Sequence, residues 1–310
     1  MVEVFHEITE KGITKGTRFN KGWMCPIYKK KEVANIANYR PITVLNTDYK
    51  VFTKAIVTRL TKVAPSLIHP DQVGFIRGRS IFDQIEQAMM TINYVRLKGI
   101  NRAIVILDQE KAYDKITHLY LWRILKKFAF PVEMINMIKS LYRDTPMSIM
   151  INGVISDPFI VARGVRQGGP MSCILFNLSI EPLAANIWAL GIQEIEVPNL
   201  DKKIKVSLFA NDTTVILTEY NSFTELTVTL DRWCEVSGAK FNIKKTEIIP
   251  IGSAEYRKEL LETRKIGGGE ERIPEVIRIA GEGDAMRLLG VWVGNGVNPE
   301  EPWRVIVEMI

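Results

Sequence analysis

Apolar residues fall into two kinds of pattern along this chain. Phe52, Ile56, Leu60 and Val63 recur at spacings of three and four. That period predicts an amphipathic helix, which Pro65 should stop. Ile81, Ile85, Met89, Ile92 and Val95 repeat it and predict a second helix. Ser80 and Asp83 have capping-box spacing at its start, and Gly99 suits its end. Residues 103–107, Ala-Ile-Val-Ile-Leu, form a short unbroken apolar run, the mark of a buried strand, and the run ends in Asp108. Helices are expected over about 117–129 and 131–143, the second with Pro131 at a favoured first position. Residues 147–165 read as strands and turns, and 172–190 as an apolar helix. Residues 205–218 read as two β runs around Asn211-Asp212, hence a hairpin. Ser222 with Glu225 caps a helix over about 222–236 that stops at Gly238. Residues 252–285, rich in Gly and Glu, read as a loop or flexible insertion, and 288–293 as a last strand. The Asn-Pro-Glu-Glu-Pro stretch after Val297 resembles the start of another element. Helices and strands mix without strict alternation, which predicts an α+β fold.

Composition narrows the class. The chain has 310 residues, enough for two or three structural regions. At 46% apolar and 25% charged it is not a disordered chain. No stretch nears the roughly 18 consecutive apolar residues of a membrane span. The first residues lack the basic-then-apolar layout of a secretory signal. Cys25, Cys173 and Cys234 are odd in number and far apart, so they form neither a disulfide framework nor paired metal-ligand spacing. These features predict an intracellular protein, cytoplasmic or nuclear, with no membrane contact. No internal repeat is visible. Residues 1–100 carry 16 Lys and Arg against 8 Asp and Glu, whereas the remainder is slightly acidic. A basic first third suits a polyanionic partner, although a solvated lysine-rich surface explains the same numbers.

Candidate chemistry starts from Asp108, at the end of the buried run, and Asp212, at the hairpin tip. Two carboxylates brought together by one sheet can hold hard cations through oxygen. Each also fits a plainer task, ending a strand or turning a hairpin. The glycine-rich segment 164–170 lets backbone approach a nucleotide, or simply turns the chain into a helix. Tyr113 suits a place under a sugar ring or in the core. Lys244 and Lys245 suit a triphosphate or solvent. His6, His69 and His118 lack metal-ligand spacing. There is no G-x-x-x-x-G-K-[ST] loop and no G-x-S-x-G elbow.

Read in order, the segments form a ladder. It starts with Asn38-Tyr39-Arg40-Pro41-Ile42, then Gln72-Val73-Gly74-Phe75-Ile76-Arg77-Gly78-Arg79-Ser80, then Leu107-Asp108-Gln109-Glu110-Lys111-Ala112-Tyr113-Asp114. It continues with Arg163-Gly164-Val165-Arg166-Gln167-Gly168-Gly169-Pro170-Met171-Ser172 and Phe209-Ala210-Asn211-Asp212. It closes with Gly238-Ala239-Lys240-Phe241-Asn242-Ile243-Lys244-Lys245-Thr246-Glu247 and Leu288-Leu289-Gly290. This ladder, over about residues 23–295, resembles the reverse transcriptases of non-LTR, long-interspersed-element retrotransposons.

The resemblance implies a right-hand polymerase with an antiparallel palm sheet and helices. Fingers would occupy 1–101 and palm 102–295, with a fingers–palm segment near 131–167. Residues 296–310 would start a thumb that is truncated or absent. It further implies RNA-directed DNA synthesis from an RNA template, a DNA primer and dNTPs, with two Mg²⁺ ions, Mn²⁺ being the alternative. Asp108 and Asp212, with the Gln109 carbonyl, match the metal-binding positions. Tyr113 matches the steric gate against a ribose 2′-hydroxyl. Gln167, Gly168, Lys245 and Arg40 match nucleotide contacts. Arg77, Arg79, Leu289 and Gly290 match template and primer contacts. One departure bears on chemistry. The family's hairpin carries two adjacent Asp residues, and Asn211 stands in place of the first. That substitution predicts a weakened or silent polymerase. The alternative is a retroelement-derived module that binds nucleic acid without catalysis. A small-molecule α+β protein, the third reading, predicts no salt-dependent nucleic-acid binding.

Overall fold

The computed structural model describes residues 1–14, 16–30, 32–198, 203–267 and 272–298. In chain order its elements are α1 (Val2–Lys11), β1 (Gly22–Tyr28), β2 (Tyr39–Leu45), α2 (Thr47–Leu67), α3 (Ile81–Lys98), β3 (Arg102–Leu107), α4 (Ala112–Lys115) and α5 (His118–Lys127). There follow α6 (Val132–Tyr142), β4 (Pro146–Ile151), β5 (Val154–Ile155), β6 (Phe159–Ile160), α7 (Ser172–Ala189), β7 (Ile195–Glu196) and β8 (Lys203–Ile204). The last are β9 (Val206–Phe209), β10 (Asp212–Thr218), α8 (Phe223–Ser237), β11 (Glu247–Ile251), α9 (Ala254–Thr263), β12 (Arg278–Ile279), β13 (Met286–Leu288) and β14 (Val291–Val293). The α+β reading holds. No helix among the described residues is long and apolar enough to cross a membrane.

The chain divides into two compact units. The first gathers 1–68, 111–180 and 236–239. Its sheet runs β2-β1-β4-β5, with β6 also on β4. β1 and β2 pair antiparallel along their whole length, from Gly22 opposite Leu45 to Tyr28 opposite Tyr39. α2 buries Phe52, Ile56 and Leu60 as the apolar period predicts, together with Tyr49 and Ala64, whereas Val63, also on the predicted stripe, is exposed. Pro65 does not stop this helix, which runs on to Leu67. A proline in the last turn forfeits a single backbone bond, and the Ile68 N–H still reaches the Ala64 carbonyl at 3.0 Å. Pro131 caps α6 rather than opening it.

The second unit gathers 69–110, 181–235 and the chain from Lys240 on. Its main sheet is ordered β12-β11-β3-β10-β9. β3 sits at the centre with both faces covered, which is why its sequence is apolar without alternation. β10 lies antiparallel on one side, Thr213 opposite Leu107 through Thr218 opposite Arg102. β11 lies antiparallel on the other, Glu247 opposite Ile106 through Ile251 opposite Arg102. Ile92 and Val95 of α3 close over this sheet with Ile104, Ile216, Ile249 and Met286. α7 is apolar nearly all round, as a buried helix is, and passes from the first unit into the second after Ile180.

Two expectations change here. Residues 252–285 are not simply a loop, because α9 lies within them. The Ser253 hydroxyl accepts from the Tyr256 N–H, and Tyr256 and Leu260, four apart, are buried. The single strand expected at 288–293 is a hairpin. β13 and β14 pair around Leu289-Gly290, both at positive φ (50° and 95°), the backbone that a tight two-residue turn demands. The element expected from residue 299 on lies outside the described residues.

Candidate active site

Asp108 follows the last residue of β3, and the sheet brings two neighbours to it. Thr213 pairs with Leu107, so one step further along the antiparallel register Asp212 faces Asp108. Glu247 pairs with Ile106 on the opposite edge, so Lys245 falls beside Asp108. Its Nζ lies 3.2 Å from the Asp108 Oδ2, both side chains partly open to solvent. The Asp108 carbonyl accepts from the Asn242 N–H at 2.7 Å, and the Glu110 N–H donates to the Lys240 carbonyl at 2.8 Å. Between them Gln109 bridges to Phe241 in the non-hydrogen-bonded manner, which turns the Gln109 carbonyl away from Phe241. The Gln109 side chain is buried without a partner for Oε1 or Nε2.

The β9–β10 hairpin carries Asn211 and Asp212. Phe209 pairs with Asp212 across a two-residue loop, and Ala210 takes φ 53° there. That region is unfavourable for a residue with a Cβ, so neighbours must hold it. Asn211 Nδ2 donates to Asp212 Oδ1 at 3.0 Å. The holding group is Gln72, fully buried. Its Oε1 accepts from the N–H groups of Gly74 (3.0 Å) and Ala210 (2.9 Å), and its Nε2 donates to the Ala210 carbonyl at 3.3 Å. Gly74 lies so close that an added Cβ would stand 2.5 Å from the Ala210 nitrogen. Gln84 Nε2 donates to the Asp71 and Leu208 carbonyls. Sequence reasoning missed Gln72, Gly74 and Gln84 as supports of the hairpin. The glycine inside the Gln72–Phe75 block was the one signal of close backbone approach.

Apart from Lys245, which belongs to the second unit, the residues of the nucleotide group sit in the first. The Tyr113 ring stacks on Phe176 at 4.7 Å, nearly parallel. Its buried hydroxyl lies against Cys173, and burial pushes its pKa up. The Tyr113 carbonyl accepts from the Val165 N–H at 2.7 Å. A Cβ at Gly164, which has φ 83°, would strike the Tyr113 carbonyl and the Asp114 backbone at 2.8 Å. Gln167 Nε2 donates to both Asp114 carboxylate oxygens, at 3.1 and 3.3 Å, and the Gln167 carbonyl accepts from the Thr43 N–H. Gly168, at φ 102°, lies on Thr43, where a Cβ would meet the carbonyl oxygen at 2.6 Å. Arg40 is exposed on β2.

The remaining candidates lie in the second unit. Arg77 is exposed. Arg79 has a structural task, donating from Nη1 to the His69 and Gln72 carbonyls, each at 2.6 Å. Beside it burial pushes the Glu181 carboxyl up to about 7, although the His69 N–H and Arg79 pull it down. Leu289 and Gly290 form the tip of the β13–β14 hairpin.

Among the described residues no three His, Cys, Asp or Glu side chains converge to hold a metal ion. The register sets Asp212 opposite Asp108 at the end of β3, and Asn211 and Gln109, each adjacent in sequence to one of them, offer neutral carbonyls. These donors are all oxygens, the chemistry a hard divalent cation takes. The set fits such an ion with two anionic donors rather than three.

Comparison with known proteins agrees with the motif ladder. Residues 27–293 match the family described as reverse transcriptase (RNA-dependent DNA polymerase). The chain belongs to that family. It is 29% identical over 252 residues to the uncharacterized 149 kDa protein of transposon TX1 from Xenopus laevis, covering 80% of this chain and 19% of that protein. It is 26% identical over 258 residues to the Pol polyprotein of the type-2 retrotransposable element R2DM from Drosophila melanogaster, covering 82% and 23%. The chain thus spans about a fifth of the length of these relatives. The resemblance to non-LTR retrotransposon reverse transcriptases is borne out. Among solved structures, apo telomerase from Candida tropicalis superposes with a TM-score of 0.60 at 12% identity, over 91% of this chain and 48% of that one. The fold is accordingly the polymerase fingers-and-palm type.

Proposed function

We propose that this chain is the template-copying core of a retrotransposon RNA-directed DNA polymerase, weakened at its metal site by Asn211. The observation that carries the reading is the facing of Asp108 and Asp212 at the end of β3, with Lys245 on the other flank of Asp108. Asp108, Asp212 and the Gln109 carbonyl would hold the divalent cation, with Mg²⁺ the natural choice for an all-oxygen set. A cation there lowers the pKa of a primer 3′-hydroxyl and offsets triphosphate charge. Lys245 pairs with Asp108 and would offer its charge to a triphosphate bound there. Its ammonium Nζ carries a proton for the departing pyrophosphate. The Tyr113 ring blocks a ribose 2′-hydroxyl, and Gln167 and Gly168 border the incoming dNTP. Arg40 and Arg77 meet phosphates. The Leu289-Gly290 hairpin supports the primer. Residues 1–101 serve as fingers and 102–295 as palm. An RNA template and DNA primer would be bound mainly through phosphates and hence salt-sensitively.

Asn211 decides the strength of the activity. It is nearly isosteric with Asp but removes one negative charge from the cluster opposite divalent cations. A loss of about 3 kcal/mol in transition-state stabilisation is about two decades in rate, at roughly 1.4 kcal/mol per decade. The same substitution favours a second reading, a module that binds template and primer without extending them. Primer extension on an RNA template with dNTPs and Mg²⁺ tests the first. Extension by the Asn211→Asp chain supports it, and binding without extension supports the second.

A further inference from the structure

The second unit holds a cavity of about 540 Å³ at the end of β3 away from the metal site. Arg102 opens β3 and Asp108 follows its last residue, which sets them about 20 Å apart at the rise of an extended strand. Arg102 lines the cavity and is 7% exposed. Its Nη1 donates to the Asn101 carbonyl at 2.9 Å. Its Nε is buried without an acceptor, and Nη2, on the same edge of the guanidinium, bonds to no described residue. Among the described residues no carboxylate stands within ion-pair distance of it. Burial lowers the Arg102 pKa, and Glu219 raises it through its field alone, its Oε2 being held by Asn101 Nδ2 at 2.8 Å.

An arginine keeps its proton even when buried, and a buried charge without a counter-charge destabilises a fold. This edge of the guanidinium is therefore left to an acceptor from outside. Two nitrogens on one edge match the two oxygens of a carboxylate. The rest of the lining selects what carries that carboxylate. Glu194, half-buried, and Glu196, exposed, also line the cavity. They repel a polyanion, which excludes a phosphate chain or a nucleic-acid strand. A carboxylate accepts from several donors at once, so both favour a cationic group on the ligand whatever else they bond. Ile100, Ile192 and the Tyr94 ring supply apolar wall, which suits the aliphatic stem of a lysine or arginine.

We propose that this cavity binds a basic α-amino acid, either free or as the last residue of a peptide. The α-carboxylate meets the open edge of Arg102. The stem lies along Ile100, Ile192 and Tyr94, and the side-chain cation meets Glu194 and Glu196.

Isothermal titration calorimetry of the full chain tests this, with three probes: L-arginine, an N-acetylated tetrapeptide of three alanines and a C-terminal arginine, and the C-terminal amide of that peptide. Binding of L-arginine and the acid peptide alike shows that one residue suffices, and binding of the acid peptide alone assigns the cavity to a chain end. In either case the amide should bind at least tenfold more weakly than the acid peptide. Arg102→Met and Glu196→Lys, the latter at an exposed position, should each weaken binding of the acid peptide at least tenfold. Arg102→Met should also melt no lower than the native chain, because it removes a buried charge that the fold leaves unpaired. No binding of either acid, equal binding of the amide, undiminished binding by Arg102→Met or Glu196→Lys, or a lowered melting temperature for Arg102→Met overturns the proposal.

Discussion

Gln72 grips the backbone of Ala210 from both sides, accepting from its N–H and donating to its carbonyl. The residue so held stands immediately before Asn211 and has a backbone conformation that a Cβ disfavours. Gln72→Leu keeps the volume but leaves the Gly74 and Ala210 N–H groups without their partner. Each buried donor orphaned in this way costs about 1–3 kcal/mol. Urea unfolding should therefore show a loss of about 2–4 kcal/mol. An unchanged midpoint would show that the clamp is idle.

Gly74 and Gly78 separate close approach from backbone conformation. Gly74→Ala drives a methyl group into the Ala210 backbone, whereas nothing lies within 4 Å of a Cβ at Gly78. Gly78→Ala carries only the cost of its φ of 80°, about 1–2 kcal/mol. Gly74→Ala should cost more, about 2–3 kcal/mol, and displace the hairpin. Matched unfolding curves for the two, with equal losses, would contradict the contact.

Tyr113 separates fold from selectivity. Its buried hydroxyl has only the weakly bonding Cys173 thiol against it, so Tyr113→Phe should leave stability within about 1 kcal/mol. Tyr113→Ala in an Asn211→Asp background should raise ribonucleotide incorporation relative to dNTP at least tenfold. Selectivity unmoved in that variant would remove the ring from the gate role.

Glu181 makes stability depend on pH. Its folded pKa, about 7, lies above the ordinary value of 4.5, so the folded state holds the proton more tightly. That contribution is complete below about pH 4.5 and fades as pH rises through 7. Glu181→Gln removes the titration. Between pH 5 and 8 the native chain should therefore lose stability relative to Glu181→Gln. A flat difference across that window would place the carboxyl at an ordinary pKa.

Much of the site was legible in the residues because its parts lie at the ends of strongly patterned elements. An unbroken apolar run ending in Asp108, and β runs flanking Asn211-Asp212, suffice to place both carboxylates at strand ends. Their facing each other needs the register of β3 against β10, which a sheet supplies and a linear pattern does not. Gln72 was opaque for the same reason, since its partner is 138 residues away. α9 escaped because its buried side chains, Tyr256 and Leu260, are few among charged neighbours. Pro65 misled because a proline's cost depends on how close the helix end already is. Arg79 matches a template or primer contact in sequence, yet its guanidinium spans two carbonyls of its own loop, a geometry no spacing rule conveys.

The most direct measurement is the rate of primer extension on an RNA template with dNTPs and Mg²⁺. It compares the native chain, Asn211→Asp, and Asn211→Asp with Asp108→Ala. The account predicts extension by Asn211→Asp at least 100-fold faster than by the native chain, abolished by Asp108→Ala. Equal rates for the native chain and Asn211→Asp would contradict the role given to Asn211. Extension that survives Asp108→Ala would contradict the site itself.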